Sequence, residues 1–175
     1  MSCLAFALEL AAAGFHCFPV HAGQKRPHIE GFPHLATTDP QQLEDWWYQW
    51  SGANIGISTT LYNGGTSHLI VVDVDNKKRI LDDGTTIEVS GDGTLLLWDL
   101  EGGKPLPHTY TQTTPTGGRH LVYRTSVLTP NTVGKLGAGI DTRGKGGFII
   151  GRGSAVPAGA YEGDLSVPVA DAPAW

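Results

Sequence analysis

Apolar and polar positions alternate along this chain in two periods. Residues 4–13 are rich in Ala and Leu and end at Gly14, which predicts a helix stopped by a left-handed glycine. Residues 15–20, Phe-His-Cys-Phe-Pro-Val, read as a short buried strand, and 24–36 as a loop carrying Lys25, Arg26, His28 and His34. Thr38-Asp39-Pro40 is a helix start, with Pro at the first helical position and Gln42 spaced for a capping box, so a second helix is expected to about Trp50. In it Trp46 and Trp50 share a face at i,i+4 while Trp47 points elsewhere. Core packing is the first reading of those rings and base stacking the second.

The β-branched runs 54–59 and 68–74, separated by Asn63-Gly64-Gly65, predict two neighbouring strands. A hairpin about Asp82-Asp83-Gly84 is expected over 79–89, then a helix over 94–100 closed by Gly102-Gly103. Beyond Pro107 the pattern turns to strands at 109–114, 119–124, 148–150 and 156–161, with a turn at 115–118.

Composition narrows the class. The chain has 175 residues, 40% hydrophobic and 17% charged, which suits one globular domain, or two small lobes sharing a core. The apolar run near the N-terminus lacks a basic leader, contains Glu9 and is too short to span a bilayer, so neither a signal peptide nor a membrane segment is read. Cys3 and Cys17 are too few for a disulfide framework or a cysteine-based zinc cluster, which fits a reduced, cytoplasmic setting. The end, Ala172-Pro173-Ala174-Trp175, looks like a domain cut from a longer polypeptide. A net charge of −5 argues against a binder of nucleic acid driven by overall electrostatics, though a local basic track works within an acidic total.

Three segments carry candidate chemistry. Ile70-Val71-Val72-Asp73-Val74-Asp75 is a hydrophobic strand that delivers two carboxylates, and alternation puts Asp73 and Asp75 on one face, with Val72 and Val74 on the other. Such a pair suits hard cations with oxygen ligands, although acids at a strand end also serve as turn and cap residues. Thr116-Gly117-Gly118-Arg119-His120 sets a glycine pair before a strand beginning with Arg and His, groups that hydrogen-bond a triphosphate or sugar, or simply close a hairpin. Gly139-Ile140-Asp141-Thr142-Arg143-Gly144-Lys145-Gly146-Gly147 reads as a glycine-rich loop whose acid completes a metal site and whose cations hold phosphate oxygens. It lacks the Gly-x-x-x-x-Gly-Lys-Ser/Thr order of a P-loop, so helicase-type ATP hydrolysis is not supported.

On these segments the chain resembles the bifunctional DNA primase/polymerase N-terminal domain, a branch of the archaeo-eukaryotic primase superfamily found in phages, plasmids and bacterial mobile elements. Asp73-Val74-Asp75 matches its first motif, His120 after the glycine pair its second, and Ile140-Asp141 its third. The flanks agree in Phe18-Pro19-Val20, Lys25-Arg26-Pro27, Trp46-Trp47 and Asn54-Ile55-Gly56-Ile57. Gly151-Arg152-Gly153-Ser154 departs from the proline-rich turn common in relatives, and 77–104 is a long segment that reads as a lineage insertion.

The resemblance implies a compact α/β (α+β) fold in which an αβ lobe and an RRM-like lobe enclose a cleft with a β floor. It implies Mg²⁺ or Mn²⁺ on Asp73, Asp75 and Asp141, with His120 on the incoming nucleotide. It implies weaker triphosphate or template roles for Lys25, Arg26, Arg119, Arg143 and Lys145. The implied partners are a single-stranded or primed DNA template, (d)NTPs and a C-terminal helical or helicase region of the same polypeptide. The implied activity is template-directed nucleotidyl transfer. A two-metal nuclease using the same acids and a catalytically silent nucleic-acid-binding module are the rival expectations.

Overall fold

The computed structural model of the chain describes residues 1–174; Trp175, part of the expected domain end, lies outside the described residues. In chain order the elements are α1 (Cys3–Ala12), β1 (Phe15–Val20), α2 (Phe32–Leu35), α3 (Pro40–Gln49), β2 (Asn54–Tyr62), β3 (His68–Val74), β4 (Asn76–Ile80), β5 (Thr86–Ser90) and α4 (Gly91–Leu100). They continue with β6 (Thr111–Thr113), β7 (Arg119–Thr125), β8 (Ile140–Arg143), β9 (Phe148–Ile150), β10 (Ala155–Val156), β11 (Gly159–Ala160), β12 (Glu162–Gly163) and β13 (Ala170–Asp171).

Local chemistry starts the helices where the sequence indicates. Ser2 caps α1, its hydroxyl accepting from the Ala5 amide, and Asp39 caps α3 by accepting from the Gln41 amide, with Pro40 following. Gln42 completes no capping box among the hydrogen bonds formed; Gln41 instead donates to Asp45 one turn on. Trp47 is the buried ring of α3, donating from Nε1 to the Ala53 carbonyl, while Trp46 and Trp50 pack half-buried at the edge of the same core.

Two antiparallel sheets organise the rest. One has the order β1-β2-β9; the other has six strands, β12-β6-β7-β3-β8 with β13 added in parallel beside β7. Between them lies a core that unites Leu10, Phe15, Leu43, Ile55 and Ile57 with Val71, Tyr110 and Val122. Phe15 sits at its centre, tilted against Tyr110 at 5.2 Å and Tyr62 at 5.3 Å. A second cluster packs α2 onto the first sheet, with Phe18 stacked on Phe32 and edge-on to Phe148. This leaves no room at Gly56, where a Cβ would stand 2.3 Å from the Phe18 ring.

Four expectations differ from the structure. The strands read over 54–59 and 68–74 are present and adjacent, but they fall in different sheets, linked by a bridge between Tyr62 and Ser67 and by His68 Nδ1 against the Thr60 carbonyl as the chain turns at Asn63, φ 50°. The loop read over 24–36 holds the short helix α2, started by Pro33 behind the left-handed Gly31. The glycine-rich loop read over 139–148 contains a strand, β8, because Ile140 and Thr142 bury on one side while Asp141 and Arg143 point to the other. The strand read over 156–161 is split into a tight β10–β11 hairpin by Pro157 and by Gly159 at φ 138°. The hairpin in 79–89 and the helix before Gly102 form as expected, as β4–β5 and α4.

The strand β3 explains where a site forms. Leu69 and Val71 enter the central core, whereas Val72 and Val74 pack on the other face with Tyr123 and Ile140. Asp73 continues the Leu69 and Val71 face, one step beyond the apolar filling. A cleft therefore opens where the shared core of the two sheets ends. No helix among the described residues is long and apolar enough to cross a membrane.

Candidate active site

The cleft is a cavity of about 320 Å³ whose lining includes Lys25, Asp73, His120, Arg143, Phe148 and Tyr161. Its floor is three neighbouring strands. Asp73 on β3 stands directly opposite His120 on β7 and Asp141 on β8. The three motifs picked out in the sequence, spread from Asp73 to Asp141, thus meet in one row across the sheet.

Asp73 is the hub of that row. Its side chain is only 13% exposed, with Oδ1 lying 3.4 Å from His120 Nε2 and Oδ2 accepting from Arg143 Nη2 at 3.1 Å. Burial pushes its carboxyl up, but the hydrogen bonds of His120 and Arg143 and the charge of Arg143 outweigh that and hold it below the ordinary carboxylate range. Arg143 Nη2 also donates to Asp141 Oδ2 at 3.2 Å, so one guanidinium nitrogen bridges two carboxylates. Asp141 is completed by the Gly134 amide at 3.0 Å.

Asp75 lies just past β3. Its backbone is pinned on both sides, its amide donating to Gly139 O and its carbonyl accepting from the Gly91 amide. Its carboxylate takes Lys77 Nζ at 2.5 Å. That hydrogen bond is the main reason the Lys77 ammonium is held above its usual range; the charges of Asp75, Asp141 and Asp73 act in the same direction. Lys77 therefore senses all three acids, a role its place in the 77–104 segment did not suggest.

Among the described residues, no three His, Cys, Asp or Glu side chains stand ready grouped as a metal cage. The donor set nevertheless fits a hard divalent cation. Asp73 and Asp141 already converge on one positive centre, the Arg143 nitrogen, and Asp75 on another, the Lys77 ammonium, so cations of the chain occupy the positions where the acids present oxygen.

His120 is fixed by a residue that the sequence reading passed over. Gln112 on β6, fully buried, is its cross-strand partner; its Nε2 lies 2.8 Å from His120 Nδ1 and donates to Ile150 O at 2.5 Å. Tyr110 donates its hydroxyl to Gln112 Oε1, and turning the amide over would set its oxygen against the Ile150 carbonyl, which can only accept. Gln112 thus donates to Nδ1, which puts the imidazole proton on Nε2, aimed at Asp73. The signal was available: a polar residue inside a predicted strand, four residues before Thr116 in the turn as His120 is four after it. Gln112→Leu is expected to lower stability by about 1–3 kcal/mol, since it strands the Ile150 carbonyl. Urea melts read this, and an unchanged midpoint would free His120 from this control.

The cationic residues divide. Lys25 and Arg143 line the cleft, and Lys145 is exposed on the 144–147 turn at its mouth. Arg26 faces outward, bonded to His21. Arg119 is not brought into the cleft: alternation along β7 turns it to the opposite face from His120, where it pairs with Asp92. Arg152 and Ser154 have structural partners. Arg152 pairs with Glu9 at 3.1 Å and lies over the Phe6 ring, while Ser154 Oγ accepts from the Ile55 amide.

The glycines serve packing rather than open amides. A Cβ on Gly118 would stand 2.5 Å from Val74 O, and one on Gly144 2.1 Å from Thr129 O. The amides of Gly117 and Gly118 are taken by Thr114, and those of residues 144–147 by Asn131, Thr129, Thr60 and Gly144 in turn. Contacts to a phosphate here fall to side chains.

Among known proteins, a family model described as bifunctional DNA primase/polymerase, N-terminal, matches residues 7–175. No curated protein matches the chain.

Proposed function

From its membership of the bifunctional DNA primase/polymerase N-terminal family, and hence a function of the primase/polymerase type, we propose that the chain is a nucleotidyltransferase domain extending a nucleic-acid strand on a DNA template. The observation that carries this reading is the row Asp141–Asp73–His120, residues from three motifs directly opposite one another on three neighbouring strands, with Asp73 and His120 lining the cleft. In the proposed reaction the 3′-hydroxyl of a primer, or of a first nucleotide, attacks the α-phosphate of a nucleoside triphosphate. The new O–P bond forms as the bond to pyrophosphate breaks.

Asp73, Asp75 and Asp141 would hold Mg²⁺ or Mn²⁺, which supplies activation of the hydroxyl and neutralises charge on the phosphoryl group. His120, which lines the cleft beside Asp73, would contact the incoming nucleotide. Lys25, Arg143 and Lys145 surround the opening with positive charge suited to a triphosphate. Phe148 and Tyr161 add aromatic surface to the cleft lining. Catalysis is then positioning and electrostatics. The working setting proposed is the cytoplasm of a bacterial host, with a helical or helicase region C-terminal in the same polypeptide.

His120→Ala is expected to lower kcat/KM for nucleotide by about 10- to 100-fold, as loss of one substrate contact should. Unchanged steady-state constants would remove His120 from the site. The function itself is tested by incubating the protein with single-stranded template, labelled nucleotides and Mg²⁺ or Mn²⁺, with and without primer. Labelled strands that lengthen support the proposal. Strands that shorten without nucleotides indicate a nuclease, and binding without turnover indicates a silent module; either outcome overturns it.

A further inference from the structure

Outside the cleft, the loop after β1 builds a column of rings. His21 stacks on His28 with centroids 3.7 Å apart at 28°, and His28 stacks on Trp50 at 4.8 Å and 17°. The loop is closed at its base: the His21 amide donates to Arg26 O, the His28 amide to Pro19 O, and Val20 pairs with Pro27. The loop that carries the two histidines is thus closed by backbone hydrogen bonds.

The charge around them is one-sided. No acid occurs between Glu9 and Glu30, and among the described residues neither Lys25 nor Arg26 is ion-paired, whereas Lys77, Arg119, Arg143 and Arg152 all are. Arg26 Nη2 donates to His21 Nε2 at 3.1 Å, so that nitrogen carries no proton and the outer ring is neutral. Burial first, with the Arg26 charge acting in the same direction, holds the His28 imidazole below its usual range, which favours a neutral ring there too. A neutral aromatic stack flanked by unpaired cations is the combination that takes bases on its faces and phosphates at its edge.

Neighbouring residues of the loop face two ways. Lys25 lines the cleft that holds Asp73 and His120, while Arg26 lies on the column, and none of His21, His28 or Trp50 lines the cleft. A base stacked on the column therefore belongs to a strand passing the cleft rather than to the nucleotide inside it. We infer that the His21–His28–Trp50 column, with Arg26 beside it, is a docking platform for single-stranded nucleic acid, on which an unpaired base of the template stacks outside the cleft. That the strand is a template rests on the function proposed above; the platform itself does not.

The test is the affinity of the whole chain for a fluorescein-labelled single-stranded oligothymidylate, read by anisotropy beside a duplex of equal length. His21→Ala leaves the His28–Trp50 contact in place, and His21→Ala/His28→Leu removes the stack while keeping apolar bulk over Trp50. The platform predicts single-strand binding weakened by roughly 5- to 100-fold, the range of one lost base stack, with duplex binding and nucleotide KM unchanged. Arg26→Ala is expected to reduce the slope of log affinity against log salt by about 0.7, one phosphate contact on a single strand. Single-strand binding equal to wild type in both histidine variants overturns the platform, even if the protein extends primers. Weakened binding in a protein that incorporates no nucleotide upholds the platform and overturns the polymerase reading instead.

Discussion

Replacing Asp73 by Asn is expected to lower nucleotide incorporation by at least about 1,000-fold, roughly 4 kcal/mol of transition-state stabilisation at about 1.4 kcal/mol per decade, while the chain keeps its fold. The asymmetry follows from the position of the side chain. Asp73 continues the buried face of β3 but lies beyond the apolar core, so an isosteric amide leaves the packing of Leu69 and Val71 intact. What is lost is the charge that two groups share: Arg143 keeps Asp141, whereas His120 Nε2 keeps only a neutral acceptor. The same substitution reads out in pH. A carboxyl held below its ordinary range stabilises the fold fully above the unfolded value near about 4, and that contribution disappears as pH falls through the lower folded value. The stability gap between wild type and Asp73→Asn should therefore be largest at neutral pH and close in acid. Primer extension and thermal melts across pH test both halves, and a variant that extends primers at the wild-type rate would sink the assignment of Asp73.

Much of this site was legible in the sequence because it is written in strand periodicity. Alternation from Ile70 to Asp75 set the acids against Val72 and Val74, and the core contacts divide β3 that way. His120 was legible from the turn before it. What alternation could not supply was pairing across long separations. β8 was hidden by the glycines around it, and its opposition to β3, which turns Asp141 toward Asp73, depends on sheet order. Arg119 was misjudged for a related reason: next to His120 in sequence, it is by the same period-2 rule on the other face, where α4 brings Asp92 to meet it. Gln112 is marked only as a polar residue inside a strand, and a hairpin lysine such as Lys77 carries no mark at all until its partner is known. The His21–His28–Trp50 column joins a loop to the end of a helix over some twenty-two residues, a contact no local pattern encodes.

Replacing Arg143 by Ala is expected to make the protein less stable without divalent metal and more strongly stabilised by it. The guanidinium stands between Asp73 and Asp141, which are directly opposed across β3 and β8. Without it two carboxylates face each other, and like charges so placed repel. Breaking a buried ion pair costs about 3–5 kcal/mol; Arg143 is 34% exposed, so solvent screening reduces this to about 1–2 kcal/mol, or some 2–8 °C in Tm for a chain of this size. Mn²⁺ added to the variant meets two carboxylates with no internal cation to displace, whereas in the wild type it competes with Arg143. The rise in Tm on adding Mn²⁺ should therefore be larger in Arg143→Ala than in wild type, and EDTA should reverse it. Incorporation should still fall, by about 100-fold, because a cation beside the triphosphate is gone. These two results separate the roles of one side chain: the melting shift reports Arg143 as counter-ion to the acids, and the kinetic loss reports it as a phosphate ligand. Equal Mn²⁺ shifts in the two proteins would mean that metal does not enter between Asp73 and Asp141. The acids that Arg143 bridges would then be a structural pair.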